Sequence, residues 1–190
     1  MTESTSKQLN QLLDFDYGAD GDQRLRLFLS EKPEAANSRW GERDETPLHV
    51  AARRRRCSAI EILLAAGANV DAVTAGGKTA FAHAVRRGFD DVAAILIDAN
   101  CDQKLAAADQ FAVAVVLGRL DEAKKILESA NVARTGNPEE DRLLADVAGR
   151  SSIEAVRFLI DAGADLTARG LMMNAAAPSG LVVSLITACC

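Results

Sequence analysis

A short block of residues recurs in this chain at a spacing typical of stacked helical repeats. The block Thr46-Pro47-Leu48-His49-Val50-Ala51-Ala52 returns as Thr79-Ala80-Phe81-Ala82-His83-Ala84-Val85, a shift of 33 residues from position 46 to position 79. A second apolar helical pattern follows each copy. A unit of this length cannot bury its apolar face alone, so its neighbours must stack on it. The repeat therefore predicts an all-α solenoid of helix pairs.

The second helix of each unit has one apolar face. In the first copy Ile60, Leu63 and Leu64 follow the spacing i, i+3, i+4. In the next copy Ala93, Leu96 and Ile97 have the same offsets. We expect these side chains to face a neighbouring helix. Gly67 follows the first of these helices and suits the left-handed position that closes a helix.

Weaker copies continue the register. A third unit begins at Asp109, only 30 residues on from position 79 to position 109, so its hairpin is predicted to be shortened. A fourth begins at Arg142. We predict a single domain over residues 1–190 with about five to six units. They are an N-terminal capping unit 9–40, repeats 41–73 and 74–105, divergent repeats 106–138 and 139–169, and a degenerate C-terminal unit 170–190.

The clearest unit resembles a known family. Thr46-Pro47-Leu48-His49, followed by Ala51-Ala52 and then by Gly67-Ala68-Asn69-Val70-Asp71, is similar to the signature of the ankyrin repeat family. The resemblance covers roughly residues 10–190. It implies an ankyrin repeat solenoid, an L-shaped stack of helix pairs with short hairpin or loop fingers, whose concave side binds other proteins.

The residues of the signature support the same local structure. Thr46 can cap the helix that Pro47 opens, since proline fits the first helical turn. We expect His49 to form hydrogen bonds toward Thr46 or a neighbouring unit. In the second copy Ala80 and Ala82 replace the proline and the histidine, so this polar tie is expected to be weaker there.

The composition is that of an ordinary globular domain, with 48% hydrophobic and 26% charged residues. The formal net charge of −5 does not favour nucleic acid or an anionic membrane surface as a partner. The cysteines Cys57, Cys101, Cys189 and Cys190 form no CxxC motif and have no paired histidine. Neither a zinc site nor a disulfide framework is therefore predicted, and no cofactor is expected.

The termini carry no sign of a membrane segment. The first residues lack the charged-then-apolar order of a secretory signal, and no apolar run reaches the roughly 18 residues of a membrane helix. We expect a soluble, cytoplasmic protein. The stretch 181–190 lacks the polar outer face of a terminal cap. Missing repeats, self-association and lipidation of the last two cysteines are the alternatives, and lipidation is the least favoured because no basic residues flank them.

Two short motifs suggest ligand sites, and both are incomplete. Gly77-Lys78-Thr79 ends like a phosphate-binding loop, but Ala72 stands where that motif needs a glycine, so we interpret it as a hairpin tip. A calcium loop that starts at Asp16 has Gly21 at its sixth position. Leu27 then stands at the twelfth, where a bidentate glutamate is needed, so a solvated turn is favoured.

No catalytic residue is predicted. The only histidines, His49 and His83, fall inside repeat helices, so no Ser-His-Asp or Cys-His arrangement can be argued. An enzyme built on an ankyrin shell is the least favoured alternative.

Arginine clusters lie in the same register of two neighbouring units. Arg53-Arg54-Arg55-Arg56 follows one first helix, and Arg86-Arg87 follows the next. Stacking would place equivalent positions about 10 Å apart. These arginines either complement helix dipoles in solvent or bind carboxylates or phosphates of a ligand. The resemblance implies that Arg53, Arg54, Arg86 and Arg87, here called the arginine strip, lie at surface positions near the groove.

We predict a non-enzymatic scaffold that binds another protein through its concave finger and first-helix surface, with an acidic segment on the arginine strip. The alternative is a nucleic acid or a phosphorylated ligand on the same strip. A lone tryptophan on a finger either anchors a partner or closes over the core of the first repeat. The predicted contact residues are Trp40, Arg43, Glu45, Arg53, Arg54, Val73, Lys78, Arg86 and Arg87.

Overall fold

The computed structural model describes residues 3–14, 18–148 and 153–167. Within these ranges the secondary structure is helical, with two isolated β-bridges and no strand. The expected all-α fold is therefore confirmed for this part of the chain. The described residues form two compact units: the first runs to Val85 and includes Phe89–Lys104, and the second comprises Arg86–Gly88 and the described residues from Leu105 onward.

The first unit contains three helix pairs. Its helices are α1 (Glu3–Asp14), α2 (Ala19–Glu31), α3 (Pro47–Arg53), α4 (Cys57–Ala65), α5 (Ala80–Val85) and α6 (Asp90–Asp98), with a 3-10 turn at Pro33–Asn37. The first helices α1, α3 and α5 pack in that order, and so do the second helices α2, α4 and α6. This order is the stacking that the 33-residue repeat predicts.

The predicted helix faces are largely confirmed. Ile60 and Leu63 on α4 are fully buried, and Leu64 is half-buried. On α6, Ala93 and Leu96 are buried as predicted, but the prediction for Ile97 is wrong, because this side chain is 39% exposed. Within its unit α6 packs on both α5 and α4, and Ile97 is not among its buried residues.

Helix α4 ends as the sequence predicts. Gly67 has φ 84°, and the backbone N–H groups of Gly67 and Ala68 donate to the carbonyls of Leu64 and Leu63 at 3.0 and 2.9 Å. This pair of bonds is a Schellman motif, which satisfies carbonyls that the helix leaves unpaired. Asn100 takes the same place after α6, with φ 58°.

The second unit contains α7 (Ala107–Val116), α8 (Leu120–Ser129), α9 (Pro138–Asp141), α10 (Leu143–Val147) and α11 (Ile153–Asp161). Helix α7 packs on α8 and α10 packs on α11, around a core that includes fully buried Phe111 and Leu159. Residues 101–106 contain no turn and no bridge, so the third repeat lacks a finger, in line with its shortened spacing.

Several predictions from the sequence fall outside this description. Asp16 of the incomplete calcium loop, the predicted unit 170–190 and the apolar stretch 181–190 lie beyond the described residues. None of the helices in the described ranges combines the length and the apolar character needed to cross a membrane.

Candidate functional site

Two short loops precede α3 and α5, and we call them finger 1 (residues 40–45) and finger 2 (residues 73–79). Finger 1 is closed by two backbone hydrogen bonds between Trp40 and Glu45, at 3.1 and 3.2 Å. Finger 2 is closed by a bridge between Val73 and Thr79. The motif Gly77-Lys78-Thr79 belongs to the closing turn of finger 2, which confirms its interpretation as part of a hairpin.

The two fingers are joined to each other. The backbone N–H of Ala75 donates to the carbonyl of Arg43 at 2.8 Å. Arg39, just before finger 1, donates from Nη1 to the carbonyl of Val73 at 2.8 Å and to the carbonyl and carboxylate of Asp44. One guanidinium therefore cross-links both fingers. No sequence signal distinguished Arg39, because its partners are mainly backbone carbonyls, which every residue has.

His49 connects the bases of the two fingers. Its Nδ1 accepts a hydrogen bond from the backbone N–H of Thr46 at 3.2 Å and lies 2.7 Å from the Thr46 hydroxyl. Its Nε2 lies 2.9 Å from the carbonyl of Lys78 in finger 2. The expected structural role of His49, toward Thr46 and toward the neighbouring unit, is confirmed.

The second repeat has a simpler cap. The hydroxyl of Thr79 accepts a hydrogen bond from the backbone N–H of Ala82 at 3.1 Å, but no histidine returns to the cap, as expected. The imidazole that this repeat does have, His83, meets the ring of His49 edge-on, with 5.8 Å between the centroids.

The predicted contact residues differ in exposure. Arg43, Arg54 and Val73 are exposed, Trp40 and Arg53 are half-buried, and Glu45, Lys78, Arg86 and Arg87 are buried. With the residues that the structure describes, the guanidinium of Arg43 makes no ion pair. Lys78 is only 2% exposed, so it does not present its ammonium group at the surface. Glu45 accepts a hydrogen bond from Arg53 at 3.0 Å, and this pair lies mostly below the surface.

Arg55, between α3 and α4, links this helix pair to the next one, α5 and α6. Its Nε donates to both carboxylate oxygens of Asp91, at 3.1 and 3.0 Å, and its guanidinium lies 5.4 Å from the ring centre of Phe89. Desolvation acts to raise the pKa of Asp91, but the hydrogen bonds from Arg55 and from the backbone N–H of Val92 bring it below its ordinary value. The carboxylate is thus held in its charged form.

The Cys57 thiol lies beside this pair and donates to Asp91 at 3.4 Å. Desolvation and the Asp91 carboxylate raise the pKa of Cys57 above its ordinary value. It is therefore a protonated hydrogen-bond donor at neutral pH, and such a thiol is a poor nucleophile.

Arg56 holds the N-terminal helix. It is 6% exposed, and its Nη1 donates to the carbonyls of Leu12 and Leu13 at 2.7 and 3.0 Å, close to the end of α1. Nη2 also pairs with Asp22 at 3.5 Å. The arginine run therefore does not act as one basic patch, because its members point to different elements of the first unit.

The expectation that Arg86 and Arg87 lie at the surface is wrong. In the second unit Arg86 donates to Asp109 at 2.9 Å, and Arg87 pairs with Asp146 at 3.7 Å. The two arginines are 5% and 8% exposed. The sequence register predicted the positions of these residues in the repeat, but it held no information about the carboxylates that neutralise them.

Part of the chain matches the model of a protein family. Residues 15–107 match the model of ankyrin repeats, in three copies. The matched segment includes helices α2 to α6 and both fingers.

Proposed function

Residues 15–107 of this chain are ankyrin repeats, which are generally protein–protein interaction modules, and from this premise we propose that the chain binds a partner protein through fingers 1 and 2. The observation that carries the proposal is that two fingers joined to each other each expose a side chain, Arg43 on finger 1 and Val73 on finger 2. Arg43 is exposed and makes no ion pair with the described residues. Val73 is an apolar side chain with 44% of its surface exposed.

The fingers form a supported surface. Arg39 bonds to both of them, and the bond between Ala75 and Arg43 joins their backbones. A surface that is already ordered loses less conformational entropy when a partner binds. Half-buried Trp40 at the base of finger 1 adds an aromatic side chain of the kind enriched in interface centres.

The charges on finger 1 indicate what kind of segment fits. Glu42 is exposed next to Arg43, so a run of acidic residues would meet a like charge. We therefore expect a partner segment with one acidic side chain to pair with Arg43 and an apolar side chain to cover Val73. Arg54, exposed at the end of α3, is a further proposed contact on the first-helix surface.

A nucleic acid or a phosphorylated ligand on the arginine strip is not favoured. Such a ligand needs several guanidiniums at the surface, whereas Arg86 and Arg87 are buried in ion pairs. Ankyrin repeat proteins are typically non-enzymatic. The cytoplasmic location and self-association through residues 170–190 stay predictions from the sequence.

Site-specific photo-crosslinking tests the proposed surface. A benzophenone amino acid is placed at position 43 or 73, and matched control probes replace Glu61 on α4 and Leu27 on α2, both exposed. We expect the same protein to be cross-linked from positions 43 and 73 and not from the controls. Equal cross-linking from all four positions would contradict a finger surface.

Charge reversal then measures the contribution of Arg43 with the partner so identified. Arg43→Glu is expected to raise the Kd by about tenfold, or about 1.4 kcal/mol. Arg26→Glu on α2, also an exposed arginine, is the matched control and is expected to leave the Kd unchanged. If the two variants weaken binding equally, the effect is one of net charge and not of the finger.

A further inference from the structure

The imidazole of His49 is bonded to both fingers at the points where they close. Thr46, whose N–H donates to Nδ1, directly follows Glu45, the last residue of finger 1. Lys78, whose carbonyl faces Nε2, directly precedes Thr79, the closing residue of finger 2. One side chain that is 1% exposed thus holds two loops that are far apart in sequence.

These partners favour one protonation state of the imidazole. A carbonyl can only accept, so the Nε2 that faces Lys78 carries the hydrogen. A backbone N–H can only donate, so Nδ1 must accept from Thr46 and carries none. Both bonds are satisfied by the neutral imidazole. A second proton, on Nδ1, would place this N–H against the backbone N–H of Thr46, so that two donors would face each other.

The surroundings of the ring oppose that second proton. Burial is the largest influence and lowers the pKa of His49 below its ordinary value, against the Lys78 carbonyl and the Glu45 carboxylate, which act to raise it. Arg39 lowers it further. On the side of α5 the ring meets His83 edge-on, so a cation on His49 would also lie beside a second imidazole.

We infer that His49 is a proton-sensitive clasp, whose protonation loosens the bases of both fingers and so weakens the surface that binds the partner. The loosening follows from the contacts of His49 alone, and only its effect on binding rests on the proposed function. Because the second repeat has Ala82 at the equivalent position, no other cap of this kind supports finger 2.

The direction of the pH effect follows from the hydrogen bonds. The open form has an ordinary histidine pKa near 6.5, whereas the closed form binds a proton only at lower pH. The clasp is therefore fully closed above about pH 6.5. It weakens as the pH falls below that value, and the effect levels off below the lowered pKa of the closed form.

Amide hydrogen exchange on the full chain tests the clasp without any partner. Exchange is measured at about pH 7.5 and about pH 5, with each rate corrected for its intrinsic pH dependence. We expect the protection of Trp40, Glu45 and Thr46, and of Thr74, which donates to Lys78, to fall at the lower pH. The loss is at most about thirtyfold, the limit for an open form with an ordinary histidine pKa near 6.5. The amides of Leu117 and Ala123 in the second unit serve as internal references.

Two variants identify the group responsible. In His49→Gln, which cannot titrate, the pH dependence of finger protection is expected to disappear, and in His83→Gln it is expected to persist. If His49→Gln does not fold, the titration of the His49 ring, followed by NMR in the unmodified chain, must coincide with the loss of protection. Protection that is equal at both pH values, or that follows His83 instead, overturns the inference.

The two proposals fail in different ways. If the fingers loosen at low pH but no partner is cross-linked from positions 43 and 73, the clasp stands and the proposed function fails. If a partner binds the fingers and the finger amides keep their protection at low pH, the proposed function stands and the clasp fails.

Discussion

Arg86 donates a hydrogen bond to the carboxylate of Asp109 over 2.9 Å, and the two side chains are only 6% and 4% exposed. The same guanidinium also donates to the carbonyls of Ala108 and Glu140. Arg53, which occupies the equivalent position one repeat earlier, instead pairs with Glu45 in finger 1. Arginines at equivalent positions in neighbouring repeats therefore bind carboxylates on different elements, finger 1 in one case and α7 in the other.

The Arg86 pair is expected to stabilise the second unit. Asp109→Ala leaves a buried guanidinium without its carboxylate and should lower the free energy of unfolding by about 3–5 kcal/mol. Urea denaturation monitored by helical circular dichroism measures this loss. Arg119→Ala, which removes an exposed ion pair with Glu122, is the control and should change stability by less than about 1 kcal/mol. Equal losses in both variants would mean that the Asp109 pair is not buried in solution.

Arg55 and Arg56 are adjacent in sequence and should respond very differently to truncation. Arg56→Ala removes two charge-assisted bonds to the carbonyls near the end of α1 and should cost about 1.5–3 kcal/mol, with loss of amide protection in that helix. Arg55→Ala removes a pair whose side chains are 57% and 43% exposed and should cost at most about 1 kcal/mol. A larger loss in Arg55→Ala than in Arg56→Ala would contradict the assigned roles.

The burial of Leu63 tests the face of α4. Leu63→Ala removes a fully buried side chain and should lower the free energy of unfolding by about 2–5 kcal/mol. Leu27→Ala makes the same chemical change at a side chain that is 57% exposed, and its effect should stay within about 0.5 kcal/mol. Denaturant midpoints of the two variants measure the difference. A cost near zero for Leu63 would show that the helix faces are misassigned.

Gly67 follows the end of α4 and Asn100 follows the end of α6. The two residues differ in how well they suit the left-handed backbone at these positions. Both have positive φ, 84° and 58°. Gly67→Ala forces an alanine into the left-handed region and should cost about 1–2 kcal/mol. Asn100→Gly should leave stability unchanged or raise it by less than about 1 kcal/mol, since glycine is the usual residue there. Thermal unfolding of both variants checks the pair, and a gain from Gly67→Ala would be inconsistent with a left-handed residue at this helix end.

Features that depend on short sequence distances could be predicted from the sequence. The recurrence of Thr46 at Thr79 indicated the repeat, and the cap formed by Thr46 and His49 involves residues only one helical turn apart. The glycine that ends α4 and the shortened third hairpin followed from the same register. Helical periodicity and capping are local properties, so the pattern of residues is enough to specify them.

Only the tertiary structure decided whether each charged side chain is buried with a partner or exposed to solvent. Arg53 and Arg86 share a register position, yet Glu45 pairs with one and Asp109 with the other. Arg43 is exposed and unpaired among the described residues, while Arg56 is buried against α1. The charge of an arginine says that it needs a partner or water. Which of the two it obtains depends on residues that the fold brings to it from elsewhere in the chain.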